Sequence, residues 1–303
     1  MELFRYTFRA MASENELTLG ARDEATARRA ADAAIGDVRR IEAKYSRYRD
    51  DTITTRINRG AGKSAVSIDP ETAALLAYAD QCHKLSEGRF DITSGVLRRA
   101  WDFKRRPPVL PDPQELSALV ELVDWSKVEW NSTSIRLPKE GMEIDFGGVG
   151  KEYAADRVAT ICFENGVAHG HANLGGDVRI LGPRPDGTPW RIGIRDPRAP
   201  ADRPDAAVAT VDVSSGAVAT SGDYERYFDL DGRRYCHILN PRTGYPVSAW
   251  RSVSVVAPLC VVAGSCSTIA MLLEDRGEAF LEAQGLPYFA IAADGARKGS
   301  AAT

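Results

Sequence analysis

Apolar and polar positions alternate over residues 1–20 around Phe8, Met11, Leu17 and Leu19, the two-residue period of strands, and this predicts a strand pair. The period then changes. Across 23–44, Ala27, Ala31, Ala34, Val38 and Ile41 step by four and three residues, which predicts an amphipathic helix. A polar and aromatic segment at 45–51 follows, then 53–58 and the breaker Gly60-Ala61-Gly62. A second helix is expected over 70–86, stopped by Gly88, a third over 151–164, and a fourth over 266–273 after a strand at 252–257. Short strands are expected at 128–130 with 135–137, at 178–181 and at 190–194, with Asp186-Gly187 as a hairpin turn between the last two. Asp229-Leu230-Asp231-Gly232 suggests a second hairpin, joining 224–228 to 234–238. The stretch 104–113 carries four prolines and three basic residues and reads as a surface connection; 197–204 is also irregular. Strands and helices mix without strict alternation, which favours an α+β fold over a doubly wound sheet.

Composition narrows the class. A hydrophobic fraction of 44% with 27% charged residues fits an ordinary globular chain and argues against extensive disorder. The length of 303 residues suggests roughly two domain-sized units or one cooperative unit over 1–303, with room for two lobes. A net charge of −3 supplies no strong basic patch, so nucleic acid is not an expected partner. Five cysteines, Cys82, Cys162, Cys236, Cys260 and Cys266, form no CxxC pair, and most read as small buried hydrophobes. No export leader and no membrane-spanning segment is visible, so a cytoplasmic address is expected.

Three segments carry the chemistry. Asp145-Phe146-Gly147-Gly148-Val149-Gly150-Lys151 reads as strand, glycine turn and helix start, where bare amides and a lysine suit an anion. Its spacing fits neither the dinucleotide GxGxxG nor the Walker pattern, and the glycines alone are equally consistent with a tight turn; Lys151 favours binding. Gly175-Gly176 before Asp177 reads first as a β-bulge, and His169 with His171 share a strand face but lack a third metal ligand. Thr220-Ser221-Gly222-Asp223-Tyr224 and, further on, His237-Ile238-Leu239-Asn240-Pro241 combine small residues with one imidazole ahead of a Pro/Gly turn. His237 is a candidate for proton transfer or for a turn hydrogen bond. Ser221 lacks the flanking glycines of a hydrolase elbow, and Tyr48 and Met11 lie outside clear core periodicity, each able to meet a planar ring or simply to pack.

Taken together, the chain resembles the ApbE family, the FAD:protein FMN transferases. The resemblance runs from Met11-Ala12-Ser13 through Ser46-Arg47-Tyr48, Asn58, Phe90-Asp91-Ile92-Thr93, Trp101-Asp102-Phe103, the 145–156 block and Asn173-Leu174-Gly175-Gly176-Asp177 to 220–227 and 237–246. It implies an α+β fold with mixed or antiparallel sheets, flanking helices and an FAD cleft. It further implies Mg2+ on the pyrophosphate and transfer of FMN to a threonine hydroxyl of an acceptor flavoprotein, with AMP leaving. On the same resemblance Met11 and Tyr48 contact the flavin, Arg89, Phe90 and Asp91 hold the dinucleotide, and Asp145, Lys151 and the main chain at Leu239 complete the FAD site. His237 is then the base, and Gly148 and Thr268 are metal positions. One position departs: the family motif Ala-Asp-Ala-x-x-Thr reads Ala263-Gly264-Ser265-Cys266-Ser267-Thr268 here, so its carboxylate is missing and the metal site is expected to be weaker. The alternatives are a non-catalytic FAD-binding carrier and an FAD pyrophosphatase.

Overall fold

The computed structural model describes residues 1–199, 203 and 206–301. The alternating start is a hairpin of β1 (Glu2–Ala10) and β2 (Ser13–Ala21), whose turn residues Met11 and Ala12 both take positive φ, 52° and 60°. Helix α1 (Glu24–Tyr45) is capped by the Asp23 carboxylate, which accepts from Thr26 N, and it buries the predicted alanine and aliphatic stripe. The 53–58 segment is a short helix, α2 (Ile53–Arg59), and after β3 (Val66–Ser67) comes α3 (Pro70–Leu85), with Asp69 as cap and Pro70 in the first turn. The proline-rich connection delivers α4 (Pro113–Val120), a helix the periodicity did not reveal, and then the predicted pair β4 (Glu129–Trp130) and β5 (Ser134–Arg136).

The second half begins with α5 (Gly150–Glu164), β6 (His169–Leu174) and β7 (Asp177–Gly182). Next come β8 (Trp190–Arg195), β9 (Ala207–Val213) and β10 (Gly216–Gly222). The hairpin β11 (Tyr227–Leu230) and β12 (Arg233–Cys236) turns at Asp231-Gly232, both at positive φ as a type I′ turn requires. The chain closes with β13 (Trp250–Ala257), α6 (Cys260–Leu273), α7 (Gly277–Gln284), β14 (Tyr288–Ala292) and β15 (Arg297–Gly299).

The result is an α+β architecture built on an eight-stranded antiparallel sheet of order β1-β2-β6-β7-β10-β13-β14-β15. Helices α1, α5 and α6 lie side by side on one face. Strand alternation divides the core accordingly: Ala217, Ala219, Val253 and Val255 face the helices, while Val178, Ile180, Val218 and Phe289 face a second cluster closed by Trp190, Ile194, Val211 and Val213 of the β8–β9 hairpin. A third cluster joins Leu97, Trp101 and Leu116 to Phe228 and Tyr235 of β11–β12, and Trp101 Nε1 donates to Gly244 O at 2.8 Å. All five cysteines are free and buried.

Two expectations are corrected. Asp186-Gly187 does turn, with Gly187 N donating to Arg184 O at 2.8 Å, but β7 already has β6 and β10 on its two edges, so β8 leaves to pair with β9. Helix α6 starts at Cys260 instead of Cys266, because Asp156 on α5 accepts from Cys260 N at 2.9 Å and Val261 N at 3.0 Å and so supplies the cap. The irregular stretch expected at 197–204 lies partly outside the described residues.

Candidate active site

The glycine block is positioned from both sides. Asn58 clasps the backbone of Ile144, donating to its carbonyl at 3.1 Å and accepting from its amide at 2.7 Å, which fixes the entry to Asp145. Asp145 then accepts from Gly147 N at 2.9 Å and forms an ion pair with Arg47. Arg47 also donates to the Tyr48 hydroxyl at 3.0 Å and lies over its ring, so Asp145, Arg47 and the 75% exposed Tyr48 form one unit. Gly148 sits against Phe90, where a Cβ would approach the ring to 3.2 Å. Helix α5 follows with Val149 at its N-cap and no side-chain capping bond, the kind of helix start that can receive an anion.

Lys151, in the first turn of α5, pairs with Asp177 at 2.7 Å and donates to Gly175 O at 3.4 Å. Burial works to lower its pKa, but the Asp177 and Glu152 carboxylates together outweigh that and the net shift is upward, so the ammonium stays charged at neutral pH. A Cβ on Gly175 would come within 2.8 Å of Ser13 Oγ and 3.6 Å of Lys151 Nζ, which places the β1–β2 turn, and Met11 within it, beside this lysine. The Met11 amide is held by Glu42 Oε1 at 2.6 Å.

Across from α5, the end of β10 meets α6 through hydroxyls. Ser221 Oγ lies 2.8 Å from both Ser267 Oγ and Thr268 Oγ1, and Ser267 Oγ donates to Gly264 O at 2.9 Å. Thr220 N points at Asp177 Oδ1, 3.4 Å away. Gly222 is required at the strand end because a Cβ there would fall 2.3 Å from the Tyr224 ring. Glu152, adjacent to Lys151, is buried beside Gly264; burial and then the Asp177 charge push its pKa up.

His237 follows β12, its amide donating to Arg226 O at 3.0 Å. Burial, with help from the Arg226 charge, brings the imidazole down to about 4, so it is neutral at neutral pH, and Nδ1 has no hydrogen-bond partner. Lys151 also lowers it, which sets the two residues in one electrostatic neighbourhood. Behind His237 the chain closes on itself: Leu239 bridges Pro246, and Gly244 N donates to Asn240 O at 2.8 Å.

Not every predicted residue presents a free group. Both Asp91 oxygens are engaged in the fold, Oδ1 with Thr93 N at 2.7 Å and Oδ2 with Trp125 N at 3.0 Å, and Phe90 is buried. Arg89 keeps a buried Nε without a partner, and burial, followed by the charges of Arg242 and Arg276, lowers its pKa, a basic setting that suits a phosphate. Arg47 and Glu152 have no assigned role in the sequence reading, although each stands inside a quoted motif, Arg47 between Ser46 and Tyr48 and Glu152 directly after Lys151. His169 and His171 are accounted for by the fold, the first at 2.9 Å from Pro183 O and the second edge-on to Trp190. Among the described residues no three His, Cys, Asp or Glu side chains converge on a point, so a cation here must draw on hydroxyl, carbonyl and phosphate oxygens as well. Among the described residues no helix is long and apolar enough to cross a membrane.

The same architecture occurs in known proteins. The ApbE family profile matches residues 11–290. An FAD:protein FMN transferase from Vibrio cholerae is 31% identical over 257 residues, covering 83% of this chain and 75% of its own length. Another, from Klebsiella pneumoniae, is 31% identical over 258 residues, covering 84% and 78%. The crystal structure of the ApbE protein from Thermotoga maritima superposes with a TM-score of 0.89 at 30% identity, covering 99% of this chain and 97% of that one. The flavin transferase ApbE from Vibrio cholerae gives 0.86 at 27%, covering 100% and 97%. With the profile spanning most of its length, the chain belongs to the ApbE family.

Proposed function

We propose that the protein is an FAD:protein FMN transferase that moves FMN from FAD to a threonine hydroxyl of an acceptor protein and releases AMP. The relatives named for this activity support the reaction, and the observation that carries it here is His237, an imidazole held neutral in the neighbourhood of the half-buried, charged Lys151. His237 takes the proton from the acceptor hydroxyl. The freed oxygen bonds to the FMN-side phosphorus, the bond from that phosphorus to the bridging oxygen breaks, and AMP departs with the electron pair.

Lys151 stays charged and offsets the negative charge that grows on the leaving phosphate. The first amides of α5 receive the pyrophosphate, Arg89 adds a second cation, and Met11, Tyr48 and the Leu239 main chain border the flavin and its linker. Phe90 and Asp91 act one step back by fixing Gly148 and Thr93, and Asp145 acts by holding Arg47 under Tyr48. A divalent cation such as Mg2+ fits the oxygen-only donors at the Thr268 hydroxyl and the Gly148 carbonyl and, when bound, would screen the pyrophosphate charge.

The test is incubation with FAD, Mg2+ and a threonine-bearing acceptor. Covalent FMN on the acceptor with an equal yield of AMP is expected. Free FMN plus AMP would instead identify a pyrophosphatase, and intact bound FAD a carrier.

A further inference from the structure

We propose that Glu152 is a carboxylate ligand of the divalent cation in this site, reaching from α5 into the space that Gly264 leaves open on α6. Gly264 and Thr268 stand one helical turn apart, so whatever projects from position 264 shares a face with the Thr268 hydroxyl. That projection is already filled. A Cβ on Gly264 would lie 2.5 Å from Glu152 Cγ and 3.0 Å from its Oε1, so the Glu152 carboxyl group takes the volume that a side chain at 264 would occupy.

The second observation is the state of the carboxyl group itself. Glu152 is 7% exposed and its Oε2 has no hydrogen-bond partner, an arrangement that costs free energy unless something positive meets that oxygen. Lys151 attracts the carboxyl group through space but makes no hydrogen bond to that oxygen, its ammonium being engaged by Asp177 at 2.7 Å. A cation between Glu152 and Thr268 would satisfy the orphaned oxygen. It would also restore to the site an anionic donor that position 264 no longer provides, delivered from the neighbouring helix.

The proposal rests on the metal-assisted reading above, and its test reads the metal directly. Mn2+ binding is measured by electron paramagnetic resonance with saturating FAD and no acceptor, and FAD affinity without metal by flavin fluorescence. Glu152→Gln is expected to weaken Mn2+ at least about tenfold while leaving metal-free FAD affinity unchanged. The exchange Glu152→Gly with Gly264→Asp, which moves the carboxylate from α5 to α6, is expected to return Mn2+ affinity to within about threefold of the parent. If Glu152→Gln fails to fold, the exchange variant alone carries the test. Unchanged Mn2+ affinity in Glu152→Gln overturns the proposal, as does a folded exchange variant that does not bind Mn2+, or a parent protein that binds none with FAD. Transfer of FMN by the parent protein is scored separately: transfer with Mn2+ affinity unaltered in Glu152→Gln removes only the ligand assignment, whereas absence of transfer removes the reaction.

Discussion

His237 owes its role to its surroundings more than to its type. An ordinary histidine near 6.5 would be half charged in mildly acid solution, but this one is brought down to about 4 and remains a proton acceptor throughout that range. The acid limb of the pH–rate profile for FMN transfer is therefore expected near 4, and a limb near 6.5 would show that His237 is not the base. The same shift has a stability sign. Above 6.5 the folded and unfolded imidazoles are both neutral and nothing changes; as pH falls from 6.5 toward 4 the unfolded chain binds the proton first, so stability is lost across that window. His237→Ala should abolish transfer, a loss of about 100-fold or more, with FAD affinity by fluorescence titration nearly intact. Gly264→Asp alone should not tighten the metal, because its Cβ meets Glu152 Cγ at 2.5 Å and a third carboxylate joins Glu152 and Asp177; Mn2+ titration reads this. His237, Lys151 and Thr268 were legible in the sequence because each sits in a contiguous motif. Glu152 was not, since its significance depends on α5 lying against α6, a pairing that no local window contains.

Between elements, the decisive joint is Asp156. From α5 it accepts two amides at the start of α6, and it pairs with Arg179 of β7 at 2.9 Å, so one carboxylate registers two helices and a strand. Asp156→Ala strips the cap and removes the only carboxylate paired with the mostly buried Arg179 among the described residues, leaving it bonded to the Ile180 and Gly216 carbonyls; a loss of about 3 kcal/mol in urea unfolding is expected, and a loss under about 1 kcal/mol would show that the joint is slack. Where an element has one wet face, its period is readable: α1 and α3 lie within a residue of the expected 23–44 and 70–86. Helix α6 came out late because Cys260, Ala263, Gly264, Ser265 and Cys266 are all buried, so its first turns have no polar stripe to mark them. Strand β10 carries no clear strand signal in the sequence for a related reason. Its Ala, Thr, Ser and Gly residues are small because α6 presses on one face, and small residues carry little hydrophobic alternation. The Asp186-Gly187 turn was recognised correctly, yet which strand pairs with which is decided by free edges, and β7 had none.

At the scale of the whole molecule, helices cover one face of the long sheet, the β8–β9 hairpin covers the other, and the Trp101 cluster is a third, smaller core that anchors the turn after His237. The α+β class was legible from the mixture of periods; the strand order was not, because it is set by contacts far apart in sequence. The proposed ligand groups come from the β1–β2 turn, the segments after α1 and α3, α5, α6 and the segment behind β12, so FAD should tie these parts together. At about 100 times its Kd, FAD is expected to add about 2.7 kcal/mol of stability, read as a rise in the melting midpoint. The buried thiols offer a different view of the same body. Burial pushes Cys162 up to about 12 and Cys236 and Cys266 to about 11, and it raises Cys82 and Cys260 as well, so none is a ready nucleophile while folded. They stand in α3, α5, β12 and α6. An alkylating reagent thus becomes a clock with four hands, each recording when one layer of the protein first opens to water.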